Sequence, residues 1–135
     1  ATFVHGDVFE HHAWYDCLIS LFSVPDYCGI KIIRKSYELL KNNGLFVCTF
    51  INTNGAYKKI HCIEEIGIDY DPHTFTYEEI AYQLEKVGFN WYYILSIINI
   101  EDSTDVHDMT NHLLENKHNL ADAKYFFVIG EKNET

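Results

Sequence analysis

The chain has 135 residues, 47% of them hydrophobic and 16% aromatic, and ten basic against twenty acidic side chains give it a net charge of −10. That length allows one domain with one core, and that hydrophobic content excludes a disordered chain. The negative charge opposes a phosphate backbone as direct partner, and no Lys/Arg cluster is expected to offset it.

Residues 1–4 form a short apolar run closed by His5-Gly6-Asp7, which reads as a strand ending in a turn. His11-His12-Ala13-Trp14 reads as a loop or short helix. Residues 17–22 are nearly all apolar, the mark of a strand buried on both faces. Pro25 and Gly29 interrupt the chain after that run. Ile30, Ile33, Tyr37 and Leu40 then fall on one helical face, with Arg34, Lys35, Glu38 and Lys41 turned to water. Gly44 fits the position just past a helix end, where φ is positive. Residues 45–51 read as a second buried strand, parallel to the first across a helical crossover. Residues 52–73 make a long connection in which Ile60, Ile63 and Ile66 suggest a short helix.

Thr76-Tyr77-Glu78-Glu79 is a capping box, two reciprocal side-chain to backbone bonds that start a helix. Ile80, Leu84 and Val87 make that helix's buried face, and Gly88 stops it. Residues 89–100 read as a third strand and 102–120 as a helix that begins polar. Residues 125–129 read as the last strand, with a frayed tail over 131–135. Cys17, Cys28, Cys48 and Cys62 contain no C-x-x-C pair, which points to reduced thiols in the cytoplasm rather than to a zinc knuckle. No apolar run is long enough to span a bilayer and no secretory leader is read. A start without Met, straight into a strand, suggests a piece of something longer.

These segments, taken in order, resemble the C-terminal two thirds of a class I S-adenosylmethionine-dependent methyltransferase. Phe3-Val4-His5-Gly6-Asp7 is similar to the family's third strand with its terminal acidic residue. Tyr15-Asp16-Cys17-Leu18-Ile19-Ser20 is similar to the fourth. Leu39-Leu40-Lys41-Asn42-Asn43-Gly44-Leu45-Phe46-Val47 resembles the "L-L-K-P-G-G-x-F" step into the fifth, with Asn42-Asn43 in place of Pro-Gly. Phe75-Thr76-Tyr77-Glu78-Glu79-Ile80 through Val87-Gly88-Phe89 resembles the helix before the sixth strand, and residues 125–130 the seventh, antiparallel strand.

The resemblance implies an α/β fold: the later part of a doubly wound, mostly parallel Rossmann-like sheet of family order 3-2-1-4-5-7-6. Residues 1–135 would form a partial domain running from the third to the seventh strand. The Gly-rich first turn and the acidic end of the second strand have no counterpart here, so a missing N-terminal half or a second chain is an expected partner. Without it, the fourth strand would be an apolar open edge.

The resemblance also implies S-adenosylmethionine as cofactor. Asp7 would accept from the adenine amino group, with the Val8 amide facing a ring nitrogen. Ser20, Leu21 and Phe22 would lie near the methionyl part and the transferred methyl. Asp7 can also be read as an acidic strand end near solvent, though the order of the surrounding segments favours the cofactor role, and Leu21 and Phe22 read equally as core. His11, His12, His61 and His73 fall in loops as candidate bases, and no spacing selects one as catalytic. Asp105, His107, Asp108, His112 and His118 read as a polar helix surface rather than a metal site, because histidines five and six apart do not share a helical face.

Ser20-Leu21-Phe22-Ser23 stands where enzymes methylating base or amide nitrogens carry Asn-Pro-Pro-Tyr. With the negative charge, this favours a small-molecule N or O acceptor over nucleic acid. A non-catalytic methyltransferase-like subunit that binds a partner, and a different nucleotide-binding α/β fold of the same layout, are the alternatives.

Overall fold

A computed structural model describes residues 1–21, 24–53, 73–97 and 125–134. A single 3-10 turn at Val8–Glu10 precedes the regular elements: β1 (Tyr15–Ser20), α1 (Val24–Cys28), α2 (Lys31–Leu39), β2 (Leu40–Ile51), α3 (Tyr77–Val87), β3 (Trp91–Ile97) and β4 (Tyr125–Glu131). The strands form one sheet in the order β1-β2-β4-β3. β1 runs parallel to β2, and β4 runs antiparallel to both β2 and β3. Parallel neighbours need a crossover, and α1 with α2 supplies it. The order is the 4-5-7-6 run expected from the sequence, with the last strand reversed.

α2 and α3 pack against each other and against the sheet. The core between them holds Ile33, Phe46, Cys48, Phe50, Ile80, Leu84, Phe89, Phe126 and Val128, all essentially inaccessible to solvent. Phe89 stacks on Phe46 at 5.6 Å and takes the edge of Tyr37 at 5.1 Å. Gly130 makes room for that cluster, since a Cβ there would come within 3.1 Å of the Phe89 ring.

α3 forms as its sequence predicts. The Glu79 amide donates to Thr76 Oγ1 and the Thr76 amide donates to Glu79 Oε2, each at 3.2 Å. Gly88, at φ 124°, ends the helix in a conformation that side chains resist.

α2 differs from expectation at two points. Its C-cap is Leu40, whose amide donates to the Ser36 carbonyl, and β2 starts there at once. Gly44 is therefore not the residue that ends the helix. The left-handed residue is Asn43, at φ 67°. It sits in a bulge where Tyr15 faces Leu40 but Cys17 faces Leu45. Gly44 is needed for a different reason: a Cβ there would lie 2.8 Å from the Lys41 carbonyl oxygen and 3.2 Å from that of Asp16. The second difference is Lys35, expected in water but only 7% exposed. α2 buries Ile32 and Ile33 but also Lys35 and Ser36, because it has α3 and α1 as neighbours as well as the sheet.

Two strands were expected to be better covered than they are. Residues 1–5 are not a strand, and Phe3 is 94% exposed. A strand needs a neighbour for its backbone amides and carbonyls, and none of the described residues provides one. β1, expected to be buried on both faces, is the edge of the described sheet. Its Ile19 is 65% exposed, and only Leu18 and Ser20 are half-buried.

The tail, expected to fray, is fastened. Lys132 Nζ donates to the carbonyls of Tyr37 and Leu40 at 2.8 and 3.0 Å, and the Glu134 amide donates to Asn42 Oδ1 at 2.8 Å. The expected helices at Ile60–Ile66 and over 102–120 lie outside the described residues.

Candidate functional site

Two parallel strands put their carboxyl ends on one side of a sheet, which is where α/β folds bind ligands. β1 ends there at Ser20. Its Oγ accepts from the Val24 amide at 3.3 Å, closing the turn into α1. Leu21 comes next and is half exposed to solvent. Phe22 lies outside the described residues. β2 ends at Ile51, and Asn52 bridges to Phe75 just before the α3 cap.

Asp7 begins the 3-10 turn Val8–Glu10, and its Oδ1 accepts from the Phe9 amide at 2.9 Å. A short carboxylate at this position satisfies an amide that the turn leaves open. No other hydrogen bond to the Asp7 carboxylate is found among the described residues, so its second oxygen remains available. Val4, His5, Gly6, Asp7, Val8, Glu10 and His11 line a cavity of about 380 Å³. That is in the range of small-molecule sites. With two carboxylates in its wall, it suits a ligand that donates hydrogen bonds. His11 ties this segment to β1: its Nε2 lies 2.6 Å from the Tyr15 hydroxyl, and the two rings stack at 5.8 Å.

The structure thus puts Asp7 and Val8 in one cavity and Ser20 and Leu21 at the end of β1. Among the described residues, no hydrogen bond or ion pair joins the two groups. Of the loop histidines, His11 lines the cavity, while His73 packs beside Gly29 and His12 is exposed. His61 and the whole group Asp105, His107, Asp108, His112 and His118 lie outside the described residues. Among the described residues, no three or more His, Cys, Asp or Glu side chains gather as metal ligands would. No helix among them is long and apolar enough to cross a membrane.

Sequence reasoning did not single out His11, because its selection depends on β1 lying next to the turn. It also did not find Lys35, which a helical wheel places on the solvent side.

No protein-family model matches this chain, and no curated protein matches it. Solved structures do. One described as a SAM-dependent methyltransferase, possible histamine N-methyltransferase, from Thermotoga maritima has TM-score 0.55 at 12% identity, over 87% of this chain and 56% of its own. A SAM-dependent methyltransferase from Archaeoglobus fulgidus has TM-score 0.53 at 17% identity, over 96% of this chain and 66% of its own. A possible exported protein from Bordetella parapertussis has TM-score 0.52 at 18% identity, over 95% of this chain and 43% of its own. The chain therefore spans between 43% and 66% of the length of these neighbours. Sheet order and structural likeness agree: the fold is similar to that of class I S-adenosylmethionine-dependent methyltransferases.

Proposed function

We propose that this chain is part of an S-adenosylmethionine-dependent methyltransferase that acts on a small-molecule N or O acceptor. The observation that carries this reading is the β1-β2-β4-β3 order with β4 reversed, together with Asp7 and Val8 in a cavity of about 380 Å³. In this reading Asp7 offers its second carboxylate oxygen to the adenine amino group, and the Val8 backbone lies beside the ring. Ser20 and Leu21, at the end of β1, lie on this reading near the reacting methyl, and Phe22 keeps the role the resemblance implies for it.

S-adenosylmethionine supplies an electrophilic methyl on a sulfonium. The chain's own part is to hold acceptor and donor in line, which is worth several kcal/mol as effective molarity. An amine acceptor is consistent with the description of the Thermotoga maritima neighbour. The net charge of −10 opposes a polyanionic acceptor.

The strands that would continue the sheet beyond β1 belong, on this reading, to a further segment or a second chain. A cytoplasmic setting fits the free, exposed thiols of Cys17 and Cys28.

Calorimetry with S-adenosylhomocysteine on the intact assembly tests the proposal. Saturable binding is expected, and Asp7→Ala should weaken it by about 1–3 kcal/mol, the cost of an unpaired donor. Unchanged affinity in that variant removes Asp7 from the site. Absence of heat in the parent protein rejects the reading as a whole.

A further inference from the structure

Four of the ten Lys and Arg residues of this acidic chain meet in one place. Lys31, Arg34 and Lys35 of α2 and Lys86 of α3 line a cleft of about 410 Å³, with Phe9, Ile30, Glu38 and Gln83 completing the wall. The sequence predicts no such cluster, because Lys86 is far from the other three until α2 and α3 pack. Lys35 is the decisive member. It keeps 7% of its surface, yet among the described residues it has no hydrogen bond, ion pair or ring contact. Its stem is enclosed between the helices while it lines the cleft, and its charge has no described counter-charge there.

Two further features raise the positive potential of this cleft. α2 starts without a side-chain cap and with no acidic residue in its first turn. Lys31 and Arg34 stand at that end, where the helix dipole already disfavours cations. Among the described residues, Glu38 is the only carboxylate in the wall and none of the four bases is in an ion pair. Lys86 rests 5.7 Å from the Tyr82 ring centroid.

We propose that the cleft between α2 and α3 binds a phosphomonoester, a site separate from the cavity at Asp7. A dianionic phosphate has enough acceptor oxygens for the Arg34 fork and several ammonium groups together. A single carboxylate would leave most of the bases unanswered. The cleft is larger than a phosphate alone requires, and Phe9 and Ile30 give it an apolar wall for the ester's organic part. Lys35 supplies the central charge, Arg34 the bidentate contact, and Lys31 and Lys86 the flanking charges.

Titration calorimetry and thermal shift on the full chain test this with phenyl phosphate, inorganic phosphate and a hexaglutamate peptide as probes. Phenyl phosphate should bind and raise the melting temperature, with inorganic phosphate at least about tenfold weaker for want of the apolar contact. Lys35→Met should weaken phenyl phosphate at least about tenfold. Its own melting temperature should not fall, since methionine keeps the enclosed stem and removes a charge with no described partner. Should that variant fail to fold, Arg34→Gln, on the exposed side of α2, should show the same loss of affinity. Lys41→Gln, outside the cleft, should change nothing. Equal affinity in Lys35→Met and the parent overturns the proposal, as does no binding of phenyl phosphate at about 10 mM. Inorganic phosphate binding as tightly as the ester would reduce the site to a simple anion and overturn the assignment to an ester. Tighter binding of the peptide would assign the cleft to an acidic polypeptide instead. Competition by S-adenosylhomocysteine would merge it with the cavity at Asp7 and overturn the claim of a second site.

Discussion

Gly44 and Asn43 show how adjacent residues divide one task. Asn43 takes the left-handed turn that lets β2 bulge, and it tolerates φ 67° because asparagine's short polar side chain suits that region. Gly44 then brings the backbone of β2 against that of β1. Added bulk there would meet the carbonyl oxygens of Lys41 and Asp16, which are fixed main chain rather than movable side chain. Gly44→Ala should therefore destabilise the fold by about 1–3 kcal/mol, as overpacking does. Asn43→Gly should cost little, since glycine enters the same region freely. Urea denaturation of both variants checks the pair. A larger loss at Asn43 than at Gly44 would reverse this account.

α3 is held to β3 by a side-chain bond as well as by packing. The Tyr92 hydroxyl donates to Glu85 Oε1 at 2.6 Å. Partial burial first, and the Glu85 carboxylate second, push the Tyr92 phenol up to about 12 from its usual 10. The raised value means that the neutral phenol is favoured in the folded chain. This contribution is complete below pH 10 and fades between pH 10 and about 12. Tyr92→Phe should flatten the alkaline loss of melting temperature over that interval. Parallel pH profiles for parent and variant would show that the bond does not contribute.

At this scale legibility follows locality. α3 could be read residue by residue, because Thr76, Glu79 and Gly88 define its ends within its own sequence. α2 could be read only along its inner stripe. Its true end depends on the bulge in β2, and the burial of Lys35 depends on packing against another element.

Among the described residues the sheet is open at β1. Ile19, Leu21 and Tyr15 are exposed along that edge, together with the neighbouring Trp14. Unpaired backbone beside apolar side chains invites another strand. The isolated chain should self-associate at micromolar concentration in gel filtration, and Ile19→Lys should shift it toward the monomer without unfolding it. A parent chain that stays monomeric at high concentration would count against an unsatisfied edge.

The strand order was legible because four local motifs occur in a known sequence. The cover of β1 was not, since an apolar run looks the same whether its neighbour is present or absent. The cavity at Asp7 was half legible. The acidic strand end could be named, but the strand before it did not form, and only the fold brought His11 alongside. The cationic cleft depends entirely on the meeting of two helices.

The position of β4 has a consequence in time. Among the described residues β3 joins the sheet only through β4, which follows it in the chain. Until residue 131 has left the ribosome, β3 and the outer flank of β2 lack the described strand that joins them. Joining β3 to β2 should thus be a late, long-range step, the kind that topology makes slow. Until then the nascent chain would display its aromatic strands to whatever chaperone is near.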